Sequence, residues 1–392
     1  MKKNIFLSEP AVVCCAGLDG KQLYRACLSG DRSGFVMRET GGKKYPVGEI
    51  KEKLPAVDIK NFGSPVYASE TRIIRIVDAA LRQMESETEK IIKKYGKDKI
   101  GVCLGSCDNG SEASLAAHRE YFGTGVFSGD YNLRYQSASL VADFIAKKFD
   151  IKGPVFTVAT ACASGASAIA RAAEMIRAGL CSAVIAGGAD VVSDAVFSGF
   201  CALEAVSDEL TNPFSKNRKG INLGEGAAFF ILDTEENSSV ELLGAGESAD
   251  AFHMTAPGTD GEGPARAMRA ALFDAGLESE KIGYINLHGT GTELNDKAES
   301  LALKKVFEKR IPASSTKPVT GHTLGAAGAL EAAICWTVLN EKQGLPVHLW
   351  DGVYDEEAPF LPASCAHPSP SICMSNSFAF GGCNVSLILG KN

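Results

Sequence analysis

Most marks of an exported, membrane-embedded, metal-binding or nucleic-acid-binding protein are missing from this chain of 392 residues. No apolar run approaches the roughly 18 residues that a bilayer span needs. Met1 to Pro10 carries two lysines but neither a sustained apolar segment nor a small-residue cleavage pattern, so export is not expected. There is no CxxC pair with zinc-ligand spacing, and His288 and His322 lie too far apart for a short metal motif. No metal site is expected. No block of basic residues appears, and Lys+Arg 40 against Asp+Glu 47 leave a net charge of −7. A mildly acidic chain is a poor binder of nucleic acid or anionic membrane, and no partner of either kind is expected. Low-complexity linkers are absent too.

What is present is an ordinary globular mixture, 45% hydrophobic and 22% charged, with length for two or three structural units. The 12 cysteines are scattered and mostly sit in apolar stretches such as Val13–Ala16 and Ile334–Trp336. Buried thiols behave there as small hydrophobes. A reduced, cytoplasmic protein is expected.

Strand-like and helix-like runs alternate. Lys99–Leu104, Pro154–Val158 and Ser182–Ala186 read as buried strands, the last closed by Gly187-Gly188, with a small-residue helix over Ser164–Ala178. The second part repeats the logic. Strands are expected over Gly226–Leu232, Ile282–Leu287, Ser371–Met374 and Val385–Leu389, and helices over Pro264–Ala275, Asp296–Phe307 and Ala326–Leu339. Continuous apolar strands between helices indicate α/β sheets covered on both faces. Helices as poor in side-chain bulk as 161–170 and 325–329 are expected between sheets, not on a surface. Two similar α/β halves follow, 1–235 with a candidate nucleophile and 236–392 with two histidine loops.

Four stretches could carry chemistry. In Thr160-Ala161-Cys162-Ala163-Ser164-Gly165 a strand gives way to a helix. The macrodipole and unpaired N–H groups there favour a thiolate, which makes Cys162 a candidate nucleophile. For any one of 12 cysteines, a buried structural role is the plain alternative. His288-Gly289-Thr290-Gly291-Thr292 and Ser314 to His322 are Gly/Thr-rich loops following strands, where α/β proteins place ligand-facing groups. A lone loop histidine is usually structural, but two beside Lys317 and a candidate nucleophile shift that balance. Asn376 to Asn384 holds Gly381-Gly382, whose backbone N–H groups either face an oxyanion or make only a tight turn. Asn222 to Ala227 superficially suggests a phosphate loop, yet it lacks the Lys-Ser/Thr pair and precedes a strand, so nucleotide binding is rejected.

In order along the chain, TACASG, GEGA, HGTGT, STKPVTGHTLGAAGALE and SFAFGGCN together resemble the decarboxylating β-ketoacyl-acyl carrier protein synthases of the thiolase superfamily. The resemblance spans about Cys103 to Asn384. It implies a thiolase-like, five-layered αβαβα fold built from two duplicated halves, usually dimeric, as a homodimer or with a related subunit. It implies a decarboxylative Claisen condensation of an acyl thioester with malonyl-carrier, in fatty-acid, polyketide or aryl-polyene elongation. Cys162 would carry the acyl group, and His288 and His322 would hold the enolate. Lys317 would orient the histidine loops, and Glu331 would tie a helix to that network. Asp296, Thr290 and Thr292 would support it. The N–H groups of Cys162 and Phe380 would form the oxyanion hole, with Phe380 as a gate. Phe200, Cys107, Asp108 and Phe378 would shape the acyl pocket. Arg72, Arg75, Lys216, Arg218 and Lys219 would meet an acidic acyl carrier protein, with Arg218 equally suited to a buried ion pair. No metal or cofactor is implied, the substrates riding on phosphopantetheine.

Some features depart from the family pattern. Cys383 stands where such synthases commonly have Thr, Asn212 where a carrier-contacting Arg is common, and Ser215 and Lys219 where Asp is frequent. Asp108 and Asn109 are unusual beside a long saturated chain, and so suggest a specialised synthase over a housekeeping one. Two other classes remain open: a non-catalytic, chain-length-factor-like partner subunit, and a Cys-His thioester hydrolase.

Overall fold

The computed structural model describes residues 2–57, 71–107, 110–127, 129, 131–236, 240–360 and 370–391. Two five-stranded arrays repeat one order. In the first, Val155–Val158, Ile100–Gly105 and Ala183–Asp190 run parallel, followed antiparallel by Gly226–Asp233 and then Ala11–Cys14. In the second, Ala313–Ser314, Tyr284–Asn286 and Ile372–Phe378 run parallel, followed antiparallel by Cys383–Lys391 and Val240–Ala249. The short strand Phe6–Leu7 pairs with Gly226–Asp233 and Val240–Ala249, which joins the arrays into one sheet of 11 strands.

Side-chain alternation explains why these strands read as unbroken apolar runs. In Ile100–Gly105, Ile100, Val102 and Leu104 face an outer core with the helices Arg72–Gln83 and Leu140–Lys148, while Cys103 faces the central core. That central core holds Ser164–Arg177 and Ala327–Glu341, packed on each other between the arrays. Glu262–Ala275 and Glu293–Val306 cover the far face of the second array. Five layers result, α-β-α-β-α.

The central helices approach closely because glycine lines their crossing. A Cβ at Gly328 would stand 2.8 Å from the Ala166 Cβ, and one at Gly165 would stand 2.8 Å from the Gly325 carbonyl oxygen. Gly187-Gly188, expected to end a strand, lie inside Ala183–Asp190. A Cβ at Gly188 would come within 2.7 Å of the Gly325 carbonyl oxygen, so these glycines serve close packing and not a turn. The charged stretch Met84–Lys99 contains a helix of its own, Glu85–Tyr95. The hairpin Phe35–Thr40/Lys43–Gly48 and the helices Gly20–Ser29, Ser111–Thr124 and Asp194–Ala202 add to the elements read from the sequence. Among the described residues, no helix is long and apolar enough to cross a membrane.

Candidate active site

After Val155–Val158 the chain turns sharply into the helix Ser164–Arg177. Ala161 adopts φ 48°, a left-handed conformation that costs an L-residue on the order of 1–3 kcal/mol. The Ser164 hydroxyl holds the turn, accepting from the Thr160 N–H at 2.9 Å and donating to the Ala161 carbonyl at 2.6 Å. Cys162 at its apex is buried, its sulfur against the N–H groups of Phe380 and of Cys162 itself. Burial pushes its thiol up to about 12, outweighing the Lys317 charge and those N–H groups. The thiolate expected from the helix terminus is therefore corrected. Loss of water outweighs the dipole, and the resting group is a thiol.

Opposite lie the histidine loops. Glu299 fixes the first, its carboxylate accepting from the His288 N–H at 2.9 Å and the Gly289 N–H at 2.8 Å. Asn222 and Gly224 brace the second. The His322 N–H donates to the Asn222 carbonyl at 2.7 Å, and the Gly224 N–H donates to the His322 carbonyl at 2.9 Å. The phosphate-loop lookalike is thus a strut for His322. The two imidazoles stand edge to face, centroids 5.4 Å apart. Burial, with the Lys317 charge, drives both well below the ordinary histidine range, so both are neutral. Lys317 Nζ lies 3.3 Å from His288 Nδ1 and also donates to the His288 carbonyl and to Glu331. An ammonium only donates, so Nδ1 accepts and the His288 proton sits on Nε2. Lys317 is 1% exposed and Glu331 3%. Burial lifts the Glu331 carboxyl to about 7 despite the ammonium, and lifts Glu299 to about 8.

Cys162, His288, His322, Phe200, Phe378, Phe380, Thr290 and Thr292 line one cavity of about 540 Å³. Phe380 stacks on Phe200 with centroids 6.1 Å apart, and Phe378 meets His288 edge-on at 6.2 Å. Thr290 and Thr292 hydroxyls bond each other at 2.9 Å.

Other expected residues take different places. Asp296 does not touch Lys317; its carboxylate accepts from the Phe214 N–H at 2.8 Å and the Gly291 N–H at 3.2 Å, bracing the loop from outside. Cys107 packs with Val47, Phe197 and Phe200 beside the cavity, its amide donating to Asp190 at 3.0 Å. Asp108 and Asn109 lie outside the described residues. Arg72 pairs with buried Glu225, donating from Nε at 2.6 Å, while 41% of its side chain stays exposed. Arg218 takes the second of its two expected roles, the buried ion pair. Its side chain is 3% exposed and held by Asp355 and the Ser215, Thr292 and Glu293 carbonyls. Lys216 and Lys219 are exposed, with Lys219 on Glu209. Arg75 is half-buried on the same helix as Arg72 and does not line the cavity.

Two buried acids escaped the sequence reading, Glu299 and Asp190. Asp190 accepts from the Ser106 hydroxyl at 2.8 Å, the Cys107 N–H and the Gly325 N–H, pinning two segments beside the nucleophile. Glu299 follows Asp296 at helical i+3 spacing, which puts both on one face. That was its only signal.

Comparison with known proteins places residues 38–238 in the β-ketoacyl synthase N-terminal domain family and residues 240–349 in the β-ketoacyl synthase C-terminal domain family. The chain is 29% identical to the 3-oxoacyl-[acyl-carrier-protein] synthase 2 of Coxiella burnetii, covering 100% of this chain and 99% of the relative. It is 33% identical to nodulation protein E of Rhizobium meliloti, covering 99% of each. Among solved structures it is similar to a chain of the complex of a ketosynthase (ApeO) with its chain length factor (ApeC) from Xenorhabdus doucetiae. That likeness has TM-score 0.91 and 36% identity, over 100% of this chain and 98% of the other.

Proposed function

The chain belongs to the β-ketoacyl synthase family of condensing enzymes, and from that premise we propose that it performs a decarboxylative Claisen condensation between an acyl thioester and malonyl-acyl carrier protein. One observation carries the reading. A buried cysteine on a strained elbow shares a cavity with two neutral imidazoles, one of them held by a lysine–glutamate pair.

The Cys162 sulfur attacks the acyl carbonyl, and the carrier's pantetheine thiol leaves with the thiol proton. With the thiol pushed up to about 12, proton loss and attack proceed together. Malonyl-carrier enters next. Its C–CO₂ bond breaks, CO₂ departs, and the electron pair becomes an enolate. His288 Nε2–H and His322 donate to that oxygen as neutral groups, which stabilises the charge without moving a proton. The enolate carbon attacks the acyl-Cys162 carbonyl, whose oxyanion meets the N–H groups of Cys162 and Phe380. Collapse expels the Cys162 sulfur, which regains a proton, and releases β-ketoacyl-carrier. Phe200, Phe378 and Cys107 bound the acyl chain.

Substrates arrive on phosphopantetheine, and the reading includes no metal or cofactor. Lys216 and Lys219 are exposed cations available to an acidic carrier protein. The chain works in the cytoplasm as a dimer, with a second copy or a related subunit lacking the nucleophile. A polyketide- or aryl-polyene-type pathway is favoured by the likeness to a ketosynthase–chain length factor complex.

The test incubates the purified chain with malonyl-carrier and a panel of acyl-carriers, with intact-mass detection. An acyl adduct on Cys162 and a carrier-bound product two carbons longer are expected, both lost in Cys162→Ala. Absence of adduct with every donor would favour the partner-subunit reading, and free acid without elongation would favour a hydrolase.

A further inference from the structure

A third buried histidine closes a ring of hydrogen bonds behind the first histidine loop. His348 is 8% exposed and does not line the cavity. Its Nδ1 accepts from the Ser315 N–H at 3.1 Å, and its Nε2 lies 3.2 Å from the Pro213 carbonyl oxygen. An N–H donor on Nδ1 leaves the proton on Nε2, which donates to Pro213. One tautomer satisfies both contacts. The Phe214 and Trp350 rings flank the imidazole at 6.0 and 6.1 Å.

Both contacts lead to the same loop. On one side the Ser315 hydroxyl donates to the Gly289 carbonyl at 2.6 Å and accepts from the Lys317 N–H at 3.4 Å. On the other, Phe214, next to Pro213, donates its N–H to Asp296, which holds the Gly291 N–H. The circuit runs Gly289, Ser315, His348, Pro213-Phe214, Asp296, Gly291. The residues it clamps, Gly289 and Gly291, flank Thr290, two positions after His288, and the backbone it grips on one side carries Lys317.

We propose that His348 is a positioning residue for decarboxylation: it fixes the loop bearing His288 and the segment bearing Lys317 so that the enolate-binding N–H group is correctly aimed. The inference rests on the condensing-enzyme reading above. It is specific, because the ring grips the enolate side of the cavity and has no member on the Cys162 elbow. Loss of His348 should therefore weaken decarboxylation and spare acyl transfer to Cys162. A small misplacement of an aimed donor costs about tenfold or more in rate.

The experiment uses the full chain with His348→Leu, His348→Asn and Ser315→Ala. Cys162 acylation is followed by intact mass, and CO₂ release from malonyl-carrier is followed in parallel. His348→Leu is expected to lower the kcat of decarboxylation and condensation together by about tenfold. Acylation should stay within about twofold, as should KM for malonyl-carrier, because neither uses the aimed donor. His348→Asn, which keeps an acceptor near the Nδ1 position, should recover most of the loss. Ser315→Ala reaches the circuit from its other arm and should give the same split, including where His348→Leu does not fold. Equal loss of acylation and decarboxylation, no loss at all, or no recovery in His348→Asn would each overturn the proposal. A wild-type chain that neither acylates nor decarboxylates would instead refute the underlying reading.

Discussion

Above about pH 8, where the Glu331 carboxyl is ionised despite its burial, Glu331→Gln removes a charge and almost no volume from the most deeply buried ion pair near the site. Lys317 and Glu331 are 1% and 3% exposed, so little solvent screens what remains. The ammonium would then face only neutral acceptors, the Gln side-chain carbonyl and the His288 carbonyl and imidazole. Breaking one side of a buried pair costs about 3–5 kcal/mol, a large share of the roughly 5–15 kcal/mol that holds a protein folded. At the lower figure the unfolding equilibrium shifts by about 150-fold. Urea denaturation followed by circular dichroism should show the midpoint falling, with decarboxylation lost alongside. The companion variant Lys317→Met/Glu331→Leu separates the two effects. Apolar replacement of a buried pair is typically neutral or stabilising, so stability should return while decarboxylation stays lost. A Glu331→Gln midpoint equal to wild type, or a double variant no more stable than the single, would refute the reasoning.

With the Cys162 thiol raised to about 12, alkylation by iodoacetamide should accelerate about tenfold per pH unit between pH 7 and 10; peptide mass spectrometry reads it, and a plateau in that window contradicts the burial argument. Burial lowers His348 from 6.5 to about 4, so between those values the unfolded chain binds the extra proton and stability falls as pH falls. The loss is about 3 kcal/mol by linkage, visible in denaturation midpoints, and His348→Leu should flatten that slope. Gly328→Ala pushes a methyl against the Ala166 backbone and the Ser377 hydroxyl, with an expected cost of about 1–3 kcal/mol. An unchanged Tm would show that the two central helices can separate freely.

Much of the architecture was legible because the central strands and helices announce themselves locally. Apolar runs bounded by glycine marked the strands, and alanine-glycine helices marked the buried layer, since only small side chains let two helices cross between two sheets. Glycine misled at Gly187-Gly188, because a local pattern cannot distinguish a turn from a strand whose face is pressed against another backbone. The motifs likewise named Cys162, His288, His322 and Lys317, the last two within one signature.

Charge and partnership were another matter. Arg72 and Arg218 could be read as cations, but their closing on Glu225 and Asp355, 153 and 137 positions away in the chain, could not. Glu299, Asp190 and His348 carried no motif, since a buried polar side chain is defined by the distant group that satisfies it. The protonation of the site followed the same rule. The residue types and the turn they occupy were written in the order of amino acids, but whether Cys162 rests as thiol or thiolate, and which nitrogen of His288 holds its proton, depended on how completely folding removed water and where it set the Lys317 ammonium.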